Sequence, residues 1–72
     1  MGKESVESRE ERARDSNTSP EALEKLAADK DDGVRYEVAG NSNAPASALE
    51  KLAADEDKDV RSAAAGNPNT PA

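Results

Sequence analysis

Carboxylates alternate along the segment Asp55-Glu56-Asp57-Lys58-Asp59. Acidic side chains at positions 1, 3 and 5 are the opening pattern of an EF-hand calcium loop. Such a loop also requires Gly at position 6 and Glu at position 12, where this chain has Val60 and Gly66. The pattern therefore favours a loop between helices in which aspartates cap helix ends, and we expect no metal site.

Arg35 and Arg61 lie 26 residues apart and are followed by Tyr36 and Ser62. If the segments around them stack, each arginine comes close to aspartates of the neighbouring segment, which indicates a structural Asp–Arg ladder. The alternative is a row of side chains presented to a partner. Tyr36, the only aromatic residue, either packs between segments or anchors a protein partner, since tyrosine is enriched at interface hot spots. The candidate partner-binding surface is therefore Arg35, Tyr36, Arg61 and Ser62.

Several chemistries lack the side chains they need. The chain has no histidine and no cysteine, which excludes thiolate nucleophiles, zinc–thiolate sites, iron–sulfur ligation and the commonest general base. Carboxylate pairs remain, but they need a desolvated pocket to shift their pKa values. Four leucines and four valines are too few to build one. We expect no enzymatic activity, no catalytic residue and no cofactor.

Charge and hydropathy narrow the classes of partner. The 16 acidic and 10 basic residues give a net charge of −6, which is opposite to the basic face of a nucleic-acid-binding protein. No apolar run approaches the roughly 20 residues of a membrane span, and the N-terminal segment lacks the hydrophobic region of a signal peptide. We expect a cytoplasmic protein that binds neither nucleic acid nor membranes.

The chain repeats itself at an offset of 26 residues. Three segments recur in register: Leu23–Asp29 as Leu49–Asp55, Val34-Arg35 as Val60-Arg61, and Ala39–Asn41 as Ala65–Asn67. A period between 20 and 50 residues indicates a solenoid of stacked units. We assign residues 17–42 to repeat 1, 43–68 to repeat 2 and 69–72 to the start of a truncated third repeat.

Each repeat is predicted to form two short helices. In repeat 1, Ser19 caps the first helix and Pro20 suits its first position. An apolar face follows, made of Leu23, Leu26 and Ala27. Asp31 or Asp32 caps the second helix, which carries Val34 and Val38. That helix ends at Gly40-Asn41, where we expect left-handed backbone.

Repeat 2 copies this pattern. Asn43 or Ala44 leads into Pro45, and Asp57 or Asp59 caps the second helix. The expected apolar residues of the two helices are Leu49, Leu52, Ala53, Val60, Ala63 and Ala64. Repeat 2 is therefore predicted to present the same apolar faces as repeat 1.

The two ends of the array are predicted to differ. Sliding the register back gives residues 1–16 a helix with Ser8 and Arg12 at the positions of the two valines in the second helix of repeat 1. Such a polar face is typical of a solenoid cap; the alternative is a frayed tail. At the C-terminal end the leucines of a third repeat are missing, so we expect Val60 and Leu52 to lack a covering unit.

The repeated residues resemble the leucine-rich repeat variant (LRV) family over about residues 17–72. Three strings carry the resemblance: Asn43-Ala44-Pro45, Leu49-x-x-Leu52-Ala53-x-Asp55-x-Asp57-x-x-Val60-Arg61 and Ala65-Gly66-Asn67-Pro68-Asn69-Thr70-Pro71. The resemblance implies a right-handed superhelix of helix pairs, either α/α or α with 3-10. One bacterial member carries an iron–sulfur cluster on a cysteine-bearing segment that has no match here. The family shares no enzymatic activity.

The sequence thus predicts an all-α protein, a short right-handed α-solenoid of about two repeats with a polar N-terminal helix. Such solenoids usually serve as interaction surfaces, so we predict a non-catalytic protein-interaction scaffold whose partner the sequence does not name. The alternative is a structural fragment of a longer array, or a unit that forms a weak homo-oligomer through its open C-terminal end.

Overall fold

The computed structural model describes residues 4–71, and within that range the regular structure is entirely helical. The helices are α1 (Val6–Arg14), α2 (Pro20–Leu26), α3 (Asp32–Ala39), α4 (Ala46–Leu52) and α5 (Lys58–Ala65). The predicted all-α fold is confirmed. Both helices of each pair are α-helices, so the 3-10 alternative does not apply to the described residues.

Short side chains at the helix starts explain why the helices begin where they do. The Ser19 hydroxyl accepts the N–H of Ala22, and Pro20 follows at the first helical position. Of the alternatives at the second helices, the structure uses Asp31 and Asp57, and each carboxylate accepts two backbone N–H groups of its helix. Helix α4 differs, because Pro45 stands at its N-cap and provides no side-chain hydrogen bond.

The expectation of left-handed backbone at Gly40 and Asn41 is wrong. Gly40 has φ −90° and ψ −2°, which is right-handed, and no residue from 4 to 71 has a positive φ. The helix ends instead in a tightening turn, where the Gly40 N–H donates to the Tyr36 carbonyl and the Asn41 N–H to the Val38 carbonyl. These bonds satisfy the last carbonyls without a left-handed residue.

Helices α1, α3 and α5 form a row, and α2 and α4 pack against it. Helix α3 contacts both α1 and α5, while α4 contacts α3 and α5. The largest fully buried side chains are Leu23, Leu49, Leu52, Val34, Val38 and Val60. With so few aliphatic side chains in the core, polar contacts between repeats assume a larger share of the packing.

The expectation that Val60 and Leu52 lack a covering unit is also wrong. Val60 is 0% exposed and Leu52 is 1% exposed. Both belong to the one apolar cluster, because α4 and α5 pack against each other as well as against α3. The uncovered apolar residues at this end are alanines, Ala53 and Ala65. No helix within residues 4–71 has the length and apolar character needed to cross a membrane.

Candidate functional site

A shallow groove runs across the row of second helices and contains Tyr36. The groove has a volume of about 550 Å³ and is formed by side chains of α1, α3, α5 and the start of α5. Its carboxylates are Glu10, Asp32, Glu37, Asp57 and Asp59, and its other lining residues include Tyr36, Ser62 and Ala63. We call this the second-helix groove. No basic side chain lines it, so its electrostatic potential is negative.

Tyr36 is the large exposed side chain of this groove. It is 47% exposed, whereas the other large apolar side chains of α3, Val34 and Val38, are fully buried. Tyr36 lies on the middle helix of the row, and Ser62, its counterpart one repeat later, lies beside it in the same groove. The sequence left packing and exposure open for Tyr36, and the structure shows substantial exposure.

A glycine brings the first two helices of the row close together at the groove. A Cβ at Gly33 would collide with the Glu10 carboxylate and come within 2.9 Å of an Asp31 carboxylate oxygen. Gly33 therefore allows the side chain of α1 to lie directly over the start of α3. The residue at the same position of repeat 2 is Asp59, which faces the groove instead.

Arg35 lies outside the groove, in a junction between the repeats. Its Nε donates to Asp55 Oδ2 at 2.8 Å and its Nη2 to Asp55 Oδ1 at 3.2 Å. Its Nη1 also donates to the backbone carbonyl of Asp29 at 2.8 Å. The two side chains are only 11% and 9% exposed. This geometry is a two-pronged arginine–carboxylate pair that joins α3 to the loop after α4.

Arg9 forms the same contact one repeat earlier. Its Nε donates to Asp29 Oδ2 at 2.7 Å, in a pair that is again partly buried. Sequence reasoning missed Arg9, although it lies 26 residues before Arg35 and the offset itself was the available signal. Two rungs of an Asp–Arg ladder thus connect successive repeats.

Ionisation at the ladder follows from these bonds. The hydrogen bond from Asp55 raises the pKa of Arg35 above its ordinary value, despite burial, which opposes it. For Asp29, burial raises the pKa, but the N–H of Asp31 and the guanidinium of Arg9 outweigh burial, and the net pKa is lowered. Both groups are therefore held in their charged forms.

Arg61 has the pose of Arg35 but no carboxylate partner among residues 4–71. Its Nη1 donates to the Asp55 carbonyl at 2.6 Å, just as Arg35 donates to the Asp29 carbonyl. The side chain is exposed. The structure therefore brings Tyr36 and Ser62 together in the groove, whereas Arg35 is held in the ladder and Arg61 lies at its end.

A second ladder is made of asparagines. The Asn41 side-chain Nδ2 donates to the carbonyls of Ala13 and Asp15 at 2.7 and 3.0 Å. Asn67 repeats this contact with the carbonyls of Ala39 and Asn41 at 2.8 and 2.9 Å. Both side chains are buried. Each amide therefore satisfies carbonyls at the end of the preceding second helix, which carry no intrahelical partner.

Sequence reasoning assigned Asn41 only to a helix stop and did not find this ladder. The signal was present, because Asn41 and Asn67 recur at the repeat offset directly after Gly. A helix stop and a contact between repeats require the same residue at the same spacing. Periodicity alone does not distinguish these two roles.

The aspartates that resembled a calcium loop have other partners. Asp55 accepts the Asp57 N–H and binds Arg35, while the Asp57 carboxylate accepts the N–H groups of Asp59 and Val60. The hydrogen bond from the Val60 N–H is the main cause of a lowered pKa at Asp57. Across residues 4–71, no three acidic side chains are grouped so as to hold a metal ion.

Comparison with known proteins identifies the repeat. Residues 32–57 match the family model described as leucine rich repeat variant. This stretch spans one period and includes Arg35, Asn41 and Asp55, which make the contacts between repeats. The match confirms the resemblance found in the sequence. Neither the curated proteins nor the solved structures gave a significant match to the chain.

Proposed function

We propose that this chain, which carries a leucine rich repeat variant match at residues 32–57, is a non-catalytic module that binds a protein partner through the second-helix groove. The observation that supports the proposal is Tyr36, which is half-exposed at the middle of the row of second helices. Burying an exposed tyrosine ring at an interface is a common source of binding energy.

The charge of the groove indicates what such a partner carries. Five carboxylates surround Tyr36 and no basic side chain offsets them within the lining. A segment with Lys or Arg side chains is attracted by this potential, and an arginine stacked on the Tyr36 ring would add a cation–π contact. We therefore propose a basic, extended or helical protein segment as the partner.

The ladders keep the groove in shape. The groove crosses three helices, so its width depends on the spacing of α1, α3 and α5. Arg9 and Arg35 fix that spacing through Asp29 and Asp55, and the asparagines fix the ends of the helices. A preformed surface reduces the entropy lost on binding. Arg35 contributes to the proposed function by positioning helices, not by touching a partner.

Tyrosine fluorescence tests this proposal directly, because Tyr36 is the only tyrosine and the chain has no tryptophan. The chain is titrated with a lysine- and arginine-rich peptide that contains no aromatic residue, and with the same peptide carrying glutamine at every basic position. We expect the basic peptide to change the Tyr36 signal, and its affinity to fall steeply with salt. No response to the basic peptide, or equal responses to both, would contradict the proposal.

Matched variants locate the binding. Asp59→Asn removes a carboxylate from the groove, and Glu50→Gln removes an exposed one outside it. We expect the first to weaken peptide binding several-fold and the second to leave it within twofold. Equal losses in the two variants would mean that overall charge, and not the groove, attracts the peptide.

A further inference from the structure

The junction between repeats 1 and 2 shows how the end of one repeat is covered. Repeat 2 supplies a carboxylate to Arg35, through Asp55, and a carboxamide to the carbonyls of Ala39 and Asn41, through Asn67. It also covers Ala39, which is fully buried. The end of repeat 1 is thus matched by one acidic side chain and by amide donors at fixed spacing.

The end of repeat 2 carries the same groups without their partners. We call this the C-terminal face and define it by Arg61, Ala53, Ala65 and the backbone carbonyls of Ala65 and Asn67. Both alanines are exposed, whereas their counterparts in repeat 1 are buried. Within residues 4–71 no side chain donates to either carbonyl, although the equivalent carbonyls of repeat 1 each accept a side-chain amide.

Arg61 is already oriented for a carboxylate. Its Nη1 is held by the Asp55 carbonyl, in the way that the Asp29 carbonyl holds Arg35. In Arg35 the remaining donors, Nε and Nη2, form the two-pronged bond to Asp55. In Arg61 these two donors have no acceptor among the described residues, so the guanidinium is positioned before any carboxylate arrives.

We propose that the C-terminal face docks the leading edge of a helical repeat on a partner chain. The partner's edge carries a carboxylate for Arg61 and side-chain carboxamides for the carbonyls of Ala65 and Asn67. This occupant follows from the contacts that the same chain makes at its internal junction, which the C-terminal face continues. The surface is separate from the second-helix groove and does not depend on the function proposed for it.

A second copy of this chain does not meet these requirements. In register, the residue at the position of Asn41 is Asp15, whose carboxylate would face carbonyl oxygens and repel them. The position of the Asp29 carboxylate is occupied by Lys3, which lies outside the described residues and has the same charge as Arg61. Both differences place like charges or acceptors together, so head-to-tail stacking of identical chains is disfavoured.

The same two differences supply the test. The variant Lys3→Asp/Asp15→Asn gives the chain a leading edge with the required carboxylate and amide. Asp15→Asn retains the acceptor for the Asn17 N–H, since Asn41 makes the equivalent bond with its own side-chain oxygen. Isotope-labelled native chain is mixed with unlabelled variant up to millimolar concentration, and NMR shifts are followed at Arg61 Nε, Ala53 and Ala65.

We expect the variant to shift these signals, the unlabelled native chain to shift them at least tenfold less, and Arg61→Ala in the labelled chain to abolish the effect. Equal shifts with native chain and variant would overturn the proposal in favour of a second copy. Absence of shifts with the variant at millimolar concentration would overturn docking from a partner chain.

A second measurement tests the chemistry of the face at high effective concentration. Appending a copy of residues 47–72 to the native chain continues the repeat register and supplies the missing Asp and Asn covalently. We expect Arg61→Ala to lower the Tm of the extended chain as much as Arg35→Ala does, and to leave the Tm of the native chain almost unchanged. Equal effects of Arg61→Ala in both chains would show that the face does not receive a repeat edge.

Discussion

The junction between the repeats and the C-terminal face contain the same residue types at a spacing of 26, but their environments differ. Ala39 is fully buried and Ala65 is exposed; Arg35 binds a carboxylate and Arg61 does not. In a linear stack each unit contacts only its neighbours, so the environment of a residue depends on whether a unit covers it. Matched pairs of variants therefore separate what a residue does from where it stands.

The largest difference is expected at the alanines. Ala39→Asp places a carboxylate in a position with 0% exposure, which costs about 3 kcal/mol or more and leaves a chain of this size unfolded. Ala65→Asp, on the exposed face, should change the free energy of unfolding by less than about 0.5 kcal/mol. Thermal unfolding followed by circular dichroism measures both. Similar losses in the two variants would mean that Ala65 is covered in solution.

The asparagine ladder is expected to come next. Asn67→Ala leaves the carbonyls of Ala39 and Asn41 without their side-chain donor in a buried site, which costs about 1–3 kcal/mol. Asn69 also donates to backbone carbonyls, but from an exposed position, so Asn69→Ala should cost less. Urea unfolding of the two variants gives the comparison. If Asn69→Ala were the more harmful, burial would not be the reason that the ladder stabilises the fold.

The arginine ladder should show a smaller contrast. Arg35→Ala removes the two-pronged bond to Asp55 in a mostly buried pair and should lower the free energy of unfolding by about 1–2 kcal/mol. Arg61→Ala should cost less than about 0.5 kcal/mol, because its carboxylate-binding donors face solvent. The same unfolding experiment measures both. A double-mutant cycle of Arg35→Ala with Asp55→Ala then isolates the pair, and zero coupling would exclude it as a stabilising contact.

Acid should reveal the smallest effect, at the first rung of the ladder. The pKa of Asp29 is lowered from its ordinary value of 3.8, so the folded chain binds this proton less readily than the unfolded chain. Its contribution to stability is complete above about pH 4 and is lost as the pH falls through the lowered pKa.

Asp29→Asn tests that assignment. The variant should flatten the acid limb of the curve of stability against pH, while Glu56→Gln, which changes an exposed side chain, should leave the slope as it is. Unfolding midpoints measured between about pH 2 and pH 6 make the comparison. An unchanged slope in Asp29→Asn would show that other carboxylates determine the acid limb.

Much of the fold was predictable because local rules and tertiary packing agree. Ser19 and Pro20 mark a helix start by their own chemistry, and Leu23, Leu26, Val34 and Val38 are buried as their spacing indicated. The expectation of left-handed backbone at Gly40 failed, since the helix ends in right-handed turn bonds. Glycine tolerates left-handed backbone without requiring it.

The candidate site was predictable only in part. The sequence singled out Tyr36 and Arg35 but gave no means of separating an exposed side chain from one held between repeats. Arg9 and Asn67 were missed because their partners, Asp29 and the carbonyls of Ala39 and Asn41, come from other repeats. Such contacts depend on how the units stack, and a single repeat does not encode that geometry.

The sequence by itself determined the period, the helix starts, the buried aliphatic residues and the absence of thiol and imidazole chemistry. These properties depend on residue type and on spacing within one repeat. The tertiary structure alone decided that Arg35 binds Asp55 while Arg61 waits at an uncovered face, and that Tyr36 lies in an acidic groove. Identical residues acquired different roles because burial and partners are supplied by the next unit of the stack.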